Sequence, residues 1–319
     1  MQAATLTRIR AFNARNYVVY LSFIAILVFF SIVLFNKGFL SPENFMNILR
    51  QTAMVSVMAI GMAFALSAGE IDLSIGATVA LAALVGAVVL QTAPAPVALG
   101  AALCVGLGVG LANGLLTTKL RIPSFLVTLG TLGIVTGLAR EITNLAAVPI
   151  TNQTFNFVFG SGDIGPISML FVWTAILLLV GHVAYRKTPF GRQVLATGGI
   201  RAAARFSGVP IDRIRVAVLV ISAMSAAFAG VLYAGRLHGA RYTLGEQDLL
   251  TVIAAVIIGG TSLFGGRGSI VGAVIGSIIM GMLNNGLILM GLTVSEQMMA
   301  RGVIIIVAVS LSLREQRDV

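Results

Sequence analysis

The chain has 319 residues, 58% of them hydrophobic and only 10% charged, with 36 glycines, an apolar content far beyond what a soluble core requires. It leaves no room for a soluble domain and describes an all-α polytopic integral membrane protein. The formal charge of +10 does not indicate a nucleic-acid partner, because the basic residues sit in short segments between apolar runs rather than on one patch.

Arg8, Arg10 and Arg15 precede the apolar segment from Tyr17 to Phe35, and no small-residue cleavage site follows it, so it reads as an uncleaved first span. Further apolar stretches lie at 51–68, 73–91, 97–116, 123–139, 167–185, 216–234, 247–264, 269–291 and 298–313. Each approaches the roughly 20 residues that one crossing needs, which predicts about ten transmembrane helices. With the N-terminus inside, 15 of the 21 basic residues fall on the cytoplasmic side and six on the other, so both termini are expected to be cytoplasmic. Residues 1–319 then form a single transmembrane domain with two long connections. The outer one, 140–166, contains Pro149, Asn152, Asn156 and the turn-like GSGDIGP, and suits a short extracytoplasmic cap or docking surface. The inner one, 186–215, carries seven basic residues against the single acid Asp212.

The stretch GEIDLSIG, residues 69–76, places Glu70 and Asp72 inside a run that is otherwise apolar from Thr52 to Leu90. An ionised carboxylate at the centre of a lone spanning helix costs about 2.5–3.5 kcal/mol, so each acid needs a partner or a function. The run is about twice the length of one crossing and must turn near Gly69 to Asp72. At that break Asp72 is expected to cap a helix beginning at Leu73 by accepting N–H bonds from residues two or three further on. Direct contact of Asp72 with a solute or a proton is the other role open to it. Two residues apart on a helix is about 200° around the axis, so pairing of Glu70 with Asp72 as an acid/base couple is disfavoured unless the backbone bends there.

Gly106, Gly110 and Gly114, and again Gly268, Gly272 and Gly276, recur at four-residue spacing, which lets neighbouring helices approach closely. Neither set is a nucleotide loop, since no Gly-Lys-Ser/Thr follows, and the chain is not expected to bind ATP itself. The inner loop reads TPFGRQVLATGGIRAAARFSGVPIDRIRV, residues 188–216. With GEIDLSIG, IPSFLVTLGT (122–131) and AAVIIGGTSLFGGRGSIVGAVIG (254–276), in that family's order, the chain resembles the permease subunits of ribose-type ABC sugar importers over almost its whole length.

The resemblance implies a multi-pass protein of the bacterial inner membrane that forms a homodimeric or heterodimeric pair. It also implies an ABC ATPase subunit docked on the cytoplasmic face and a periplasmic binding protein that delivers the sugar. In such permeases a short cytoplasmic helix, rich in alanine and followed by glycine, fits a groove on the ATPase. Here it matches Gly199 to Gly208, with Gly198, Gly199, Arg201, Ala203, Ala204, Arg205 and Gly208 as the implied coupling residues. Independently of the resemblance, Ala202, Ala203 and Ala204 favour helix with little bulk, and Gly208 followed by Pro210 supplies a stop. The family pattern usually has an asparagine and a glutamate where this chain has Ile200, Arg201 and Ala202, so Arg201 or Arg205 would instead meet acids on the partner. It commonly has glycine at the position of Glu70, which reads here as a tuning feature or as a residue exposed at the cytoplasmic mouth. A basic loop held only by topology and anionic membrane lipid is the simpler reading of the same charges.

Candidates for a polar pathway are Asp72, Ser74, Asn113, Thr128, Thr131, Asn284 and Asn285, because hydroxyl and amide groups can hydrogen-bond a sugar without the cost of burying charge. Each neutral one could instead hold helix to helix, the more common role of a lone Ser, Thr or Asn in a span. The adjacent Asn284 and Asn285 stand out, two amides in one span being hard to satisfy by packing alone. His182 and His238 have no ligand-spaced neighbours and Cys104 is the single cysteine, so no metal site, disulfide framework or cofactor is expected. Trp173, Tyr185, Tyr233 and Tyr242 suit interfacial anchoring. A secondary transporter with Glu70 and Asp72 carrying coupling protons or sodium ions is the competing function. An intramembrane enzyme ranks last, for want of a nucleophile with a base or a metal pair.

Overall fold

A computed structural model describes residues 18–317. Arg8, Arg10, Arg15 and Tyr17 lie outside the described residues, as do the side chains of Arg314 and Arg317. A helix occupies each of the ten predicted stretches: α1 (Val18–Val33), α2 (Pro42–Ser67), α3 (Ile75–Leu90), α4 (Ala95–Lys119), α5 (Ser124–Glu141), α7 (Met169–Lys187), α10 (Ile211–Leu237), α11 (Asp248–Ile258), α12 (Ile270–Leu289) and α13 (Val294–Arg317). Short helices fill the two long connections, α6 (Gln153–Asn156) in the outer one, α8 (Pro189–Gly198) and α9 (Arg201–Phe206) in the basic one. By length and composition α2, α4, α7, α10 and α12 can each cross a membrane. The all-α expectation needs one small amendment, since β1 (Val148–Pro149) pairs with β4 (Gly239–Ala240) and β2 (Asp163–Ile164) with β3 (Ile167–Ser168).

α2 is the core of the bundle. Every residue from Thr52 to Ser67 is buried, and α7, α10, α11 and α12 pack around it. A helix apolar on all faces is stable only when surrounded in this way. It begins at Pro42 rather than at residue 51 because Ser41 caps it, its Oγ accepting from Asn44 N at 3.1 Å, with proline in the first turn.

α10 is the second hub, lying against α2, α3 and α4. The glycine spacing in α4 does what the sequence predicts: a Cβ on Gly106 would sit 2.6 Å from Ala227 Cβ, and one on Gly110 2.6 Å from Val220 Cα. Gly272 and Gly276 bring α12 equally close to α11, where a Cβ would strike Gly259 O and Ala255 O.

α11 corrects the expected span at 247–264. It has 11 residues, about 16 Å at 1.5 Å per residue and half of a roughly 30 Å hydrocarbon layer. It ends at Gly259, and Gly260 turns the chain away at φ 86°. At its other end, Gly245 at φ 79° presses into the start of α3, where a Cβ on Gly76 would lie 2.6 Å from Gly245 O. The two shortened helices, α3 and α11, therefore begin beside each other. Tyr185 corrects the interfacial reading, being 1% exposed and bonded to Ser67 Oγ at 2.7 Å. Trp173 stacks on Phe159 and donates to Val158 O at 2.8 Å, so its ring is held by the outer connection.

Overpacking a close helix contact costs about 1–3 kcal/mol. Gly110→Leu should therefore lower the thermal unfolding temperature of the detergent-solubilised protein. Gly108→Leu, on another face of the same helix with nothing within 4 Å of its added Cβ, should leave that temperature unchanged.

Candidate functional site

Between α2 and α3, residues 68–74 are irregular backbone inside a helical bundle, and their polar groups need partners that no helix supplies. Gly69, at φ 74°, makes the turn out of α2. Glu70 N still donates to Ala65 O at 2.9 Å. Beyond it the break relies on α5: Ile71 N donates to Ser124 Oγ at 3.1 Å and Leu73 N to Thr128 Oγ1 at 3.0 Å. Thr128 Oγ1 also lies 3.1 Å from Ile71 O, so one hydroxyl serves both sides of the peptide run.

Asp72 is fully buried and accepts three hydrogen bonds. Its Oδ1 takes Ser74 N at 3.0 Å and Ser74 Oγ at 2.6 Å; its Oδ2 takes Ser222 Oγ of α10 at 2.7 Å. The bond to Ser74 N, two residues on, is the local contact expected of it. The helix nonetheless starts at Ile75, not Leu73, because the side chain closes a turn ahead of the helix rather than capping its first residue. Asn113 Nδ2 donates to Ser74 Oγ at 2.9 Å, and Asn113 Oδ1 accepts from Thr131 Oγ1 at 2.7 Å. Five predicted pathway residues, Asp72, Ser74, Asn113, Thr128 and Thr131, thus form one cluster joining the break to α4, α5 and α10.

Asn284 and Asn285 lie elsewhere. Asn285 exchanges amide hydrogen bonds with Asn44 at 2.9 and 3.0 Å, near the start of α2. The break is at the far end of that helix, some 35 Å away at 1.5 Å per residue. Packing alone therefore satisfies one of the two amides, while Asn284 Oδ1 is buried without a partner among the described residues.

Glu70 is not at an exposed mouth, having 1% exposure. Arg215 of α10 grips it twice, Nε to Oε1 at 2.6 Å and Nη2 to Oε2 at 3.3 Å, and Arg201 of α9 adds Nη2 to Oε1 at 2.8 Å. The acid at 70 and the arginine at 201 are thus bonded to each other. Arg201 thereby finds its acid inside this chain, while Arg205 has no ion-pair partner among the described residues.

The rest of the basic loop seats on the same break. A Cβ on Gly198 would strike Ser67 O, and Gly266 N donates to Ser67 O at 3.0 Å. Gly265 and Gly266, both at positive φ, press against Gly198 and Gly199. The four motifs of the sequence therefore meet at residues 67–74. Within α9, Ala204 is buried against the bundle while Arg201, Ala202, Ala203 and Arg205 face outward. Gly208 at φ 79° ends that helix. Ile200 and Phe206, 75% and 93% exposed, flank it as apolar projections that alanine content alone did not reveal. Beside it, Lys119, Arg121, Arg205, Arg213 and Arg215 line a cleft of about 860 Å³ with Asp212. At the opposite end, Arg50 pairs with Asp163 at 2.7 Å and Arg140 with Glu246 at 3.7 Å, tying α2 and α5 to the outer connections.

A multi-pass membrane protein whose interrupted helix is stitched to a projecting basic loop has the build of a transport permease. Comparison with known proteins agrees. The profile described as "Branched-chain amino acid transport system / permease component" matches residues 44–309, and the chain belongs to this permease family. It is 38% identical to the ribose import permease protein of Bacillus subtilis over 88% of each chain. It is 37% identical to that of Escherichia coli strain K12, over 92% of this chain and 94% of the other. It is 36% identical to the L-arabinose ABC transporter permease protein of Azospirillum brasilense, over 89% and 84%. No solved structure matches it. The family is one of transport permeases, not of enzymes.

Removing one partner of a buried ion pair costs about 3–5 kcal/mol, whereas a half-exposed partner contributes about 0–1 kcal/mol. Arg215 is 15% exposed and Arg201 47%. Arg215→Ala should therefore lower the unfolding temperature in detergent far more than Arg201→Ala. Asp72→Asn should stay folded, because the amide oxygen still accepts from Ser74 and the Ser222 hydroxyl can turn to accept from the amide nitrogen. Asp72→Leu should not, because it strips Ser74 N, Ser74 Oγ and Ser222 Oγ of their acceptor at once.

Proposed function

We propose that this chain is the transmembrane subunit of a binding-protein-dependent ABC importer that carries a sugar or sugar-like polyol across the bacterial inner membrane. The observation that carries the reading is the seating of the projecting loop, 188–216, directly on the break between α2 and α3. A partner pushing on α9 acts on residues 67–74, and through them on α4, α5 and α10. The names of the ribose and arabinose relatives support a sugar as cargo. So does the chemistry of Ser74, Asn113, Thr128 and Thr131, all neutral hydrogen-bonding groups. These side chains are at most 9% exposed, so they meet a solute only when α4 and α5 part from the break, as alternating access requires.

The basic end is cytoplasmic on this reading, with about ten crossings, both termini inside, and residues 1–319 as one transmembrane unit. ATP is hydrolysed on a separate ATPase subunit that receives Ile200, Ala203, Arg205 and Phe206. A periplasmic binding protein delivers the sugar to the opposite face, and a second copy of the chain completes the pathway. The secondary-transport alternative has less to work with, since two arginines already neutralise Glu70.

The test is uptake into proteoliposomes containing the chain with its ATPase and binding protein. Sugar accumulation should require ATP and the ATPase; accumulation driven by an ion gradient without the ATPase overturns the proposal. Ala203 is exposed, so Ala203→Phe should leave the permease folded, as judged by size-exclusion chromatography, and abolish ATPase binding and uptake. Gly208→Asp, at φ 79°, should uncouple transport in the same way.

A further inference from the structure

The ion-pair cluster at Glu70 has a geometry that simple charge neutralisation does not require. Its carboxylate is shared between two arginines on different elements, and the two grips are unequal. Arg215 holds it from within the bundle, with two hydrogen bonds from a side chain that is 15% exposed. Arg201 holds it from outside with one, from a side chain that is 47% exposed and also reaches Gly69 O at 3.3 Å. Screening by water makes the outer bond the weaker and the more easily broken. Among the described residues, Arg201 makes the only side-chain hydrogen bonds from α9 to another element.

Two residues beyond Glu70 stands Asp72, bonded to Ser222 on α10 and, through Ser74 and Asn113, to Thr131 on α5. Two peptide units span at most about 7 Å, so the two carboxylates cannot move far independently. Ile71 between them is pinned by Ser124. A shift of α9 beyond the slack of the Arg201 side chain either drags Glu70 and this run with it or breaks the 2.8 Å bond to Arg201.

We propose that Glu70 is a positioning residue, the joint through which the docking helix α9 moves the α2–α3 break, with Arg201 as its outer, releasable grip and Arg215 as its fixed one. This rests on the ATPase-driven reading above and adds to it the chain's own link between docking and gate. It assigns Arg201 to Glu70 rather than to an acid on the ATPase, and leaves Arg205 as the cation of α9 that faces the partner.

A double-mutant cycle in the reconstituted complex tests this, with sugar transported per ATP hydrolysed as the readout. Arg201→Gln and Glu70→Gln should each lower that ratio on the order of fivefold, the low end of ordinary coupling between sites. The double variant should lose no more than either single one. Arg201→Lys, which keeps the charge and most of the reach, should restore the ratio, and co-purification of the ATPase should be unchanged throughout. If Glu70→Gln does not assemble, Glu70→Asp replaces it in the cycle, since it keeps the charge and withdraws the carboxylate from Arg201. Multiplying losses in the double variant, or loss of ATPase binding in Arg201→Gln, would show that Arg201 acts on the ATPase directly and would overturn the joint while leaving the transport function standing. Failure of the unmodified complex to transport with ATP would overturn both.

Discussion

Irregular backbone inside an apolar bundle is the constraint on which the rest of this structure depends. Residues 68–74 join α2 to α3 as irregular backbone, and each N–H and C=O they bury must find a partner. The partners come from three directions, Ser124 and Thr128 on α5, Arg201 on α9 and the side chain of Asp72 within the break, while Gly266 from the loop before α12 serves Ser67 O at its edge. Each must reach the break closely, which explains why Gly198, Gly265 and Gly266 surround it: a Cβ at Gly198 or Gly265 would collide with backbone across the contact. The same close approach recurs where Gly76, at the start of α3, meets Gly245 ahead of α11.

The two carboxylates divide the labour at this break. Among the described residues Asp72 has no cation beside it and is held by neutral donors, so its cluster can rearrange by rotating hydroxyls and amides. Glu70 is held by charges on two separate elements, so its position follows theirs. A buried ion pair is poor evidence of added stability, because desolvation offsets the attraction, but it does specify geometry when both partners are present. On the proposed coupling, Asp72 is the part of the break that yields and Glu70 the part that is driven.

Much of the site was legible before the fold. Five of the seven proposed pathway residues gather around the break because buried hydroxyl and amide groups in apolar helices have few ways to be satisfied except by one another. The exceptions are instructive. Asn285 looked functional beside Asn284, yet its partner is Asn44, some 240 residues away in the chain and invisible to any local pattern. Ser222 and Ser124 are not distinguished by the sequence, because a lone serine in an apolar run carries no periodic signal. Tyr185 resembled an interfacial anchor until the core closed around it.

Sequence alone determined the features that local composition controls: a mainly helical membrane protein, ten helical stretches, a turn at residues 69–72, close packing at the glycines of α4, and a basic connection at 186–215. Hydrophobic length, helix propensity and glycine spacing are properties of short windows, so they can be read there. Only the tertiary structure decided that Glu70 belongs to Arg201 and Arg215, that Asp72 reaches Ser222, and that four separated motifs converge on one break. Those are pairings between distant segments, set by which helices lie side by side. The stretch GEIDLSIG announced two acids that needed partners, and the fold chose them.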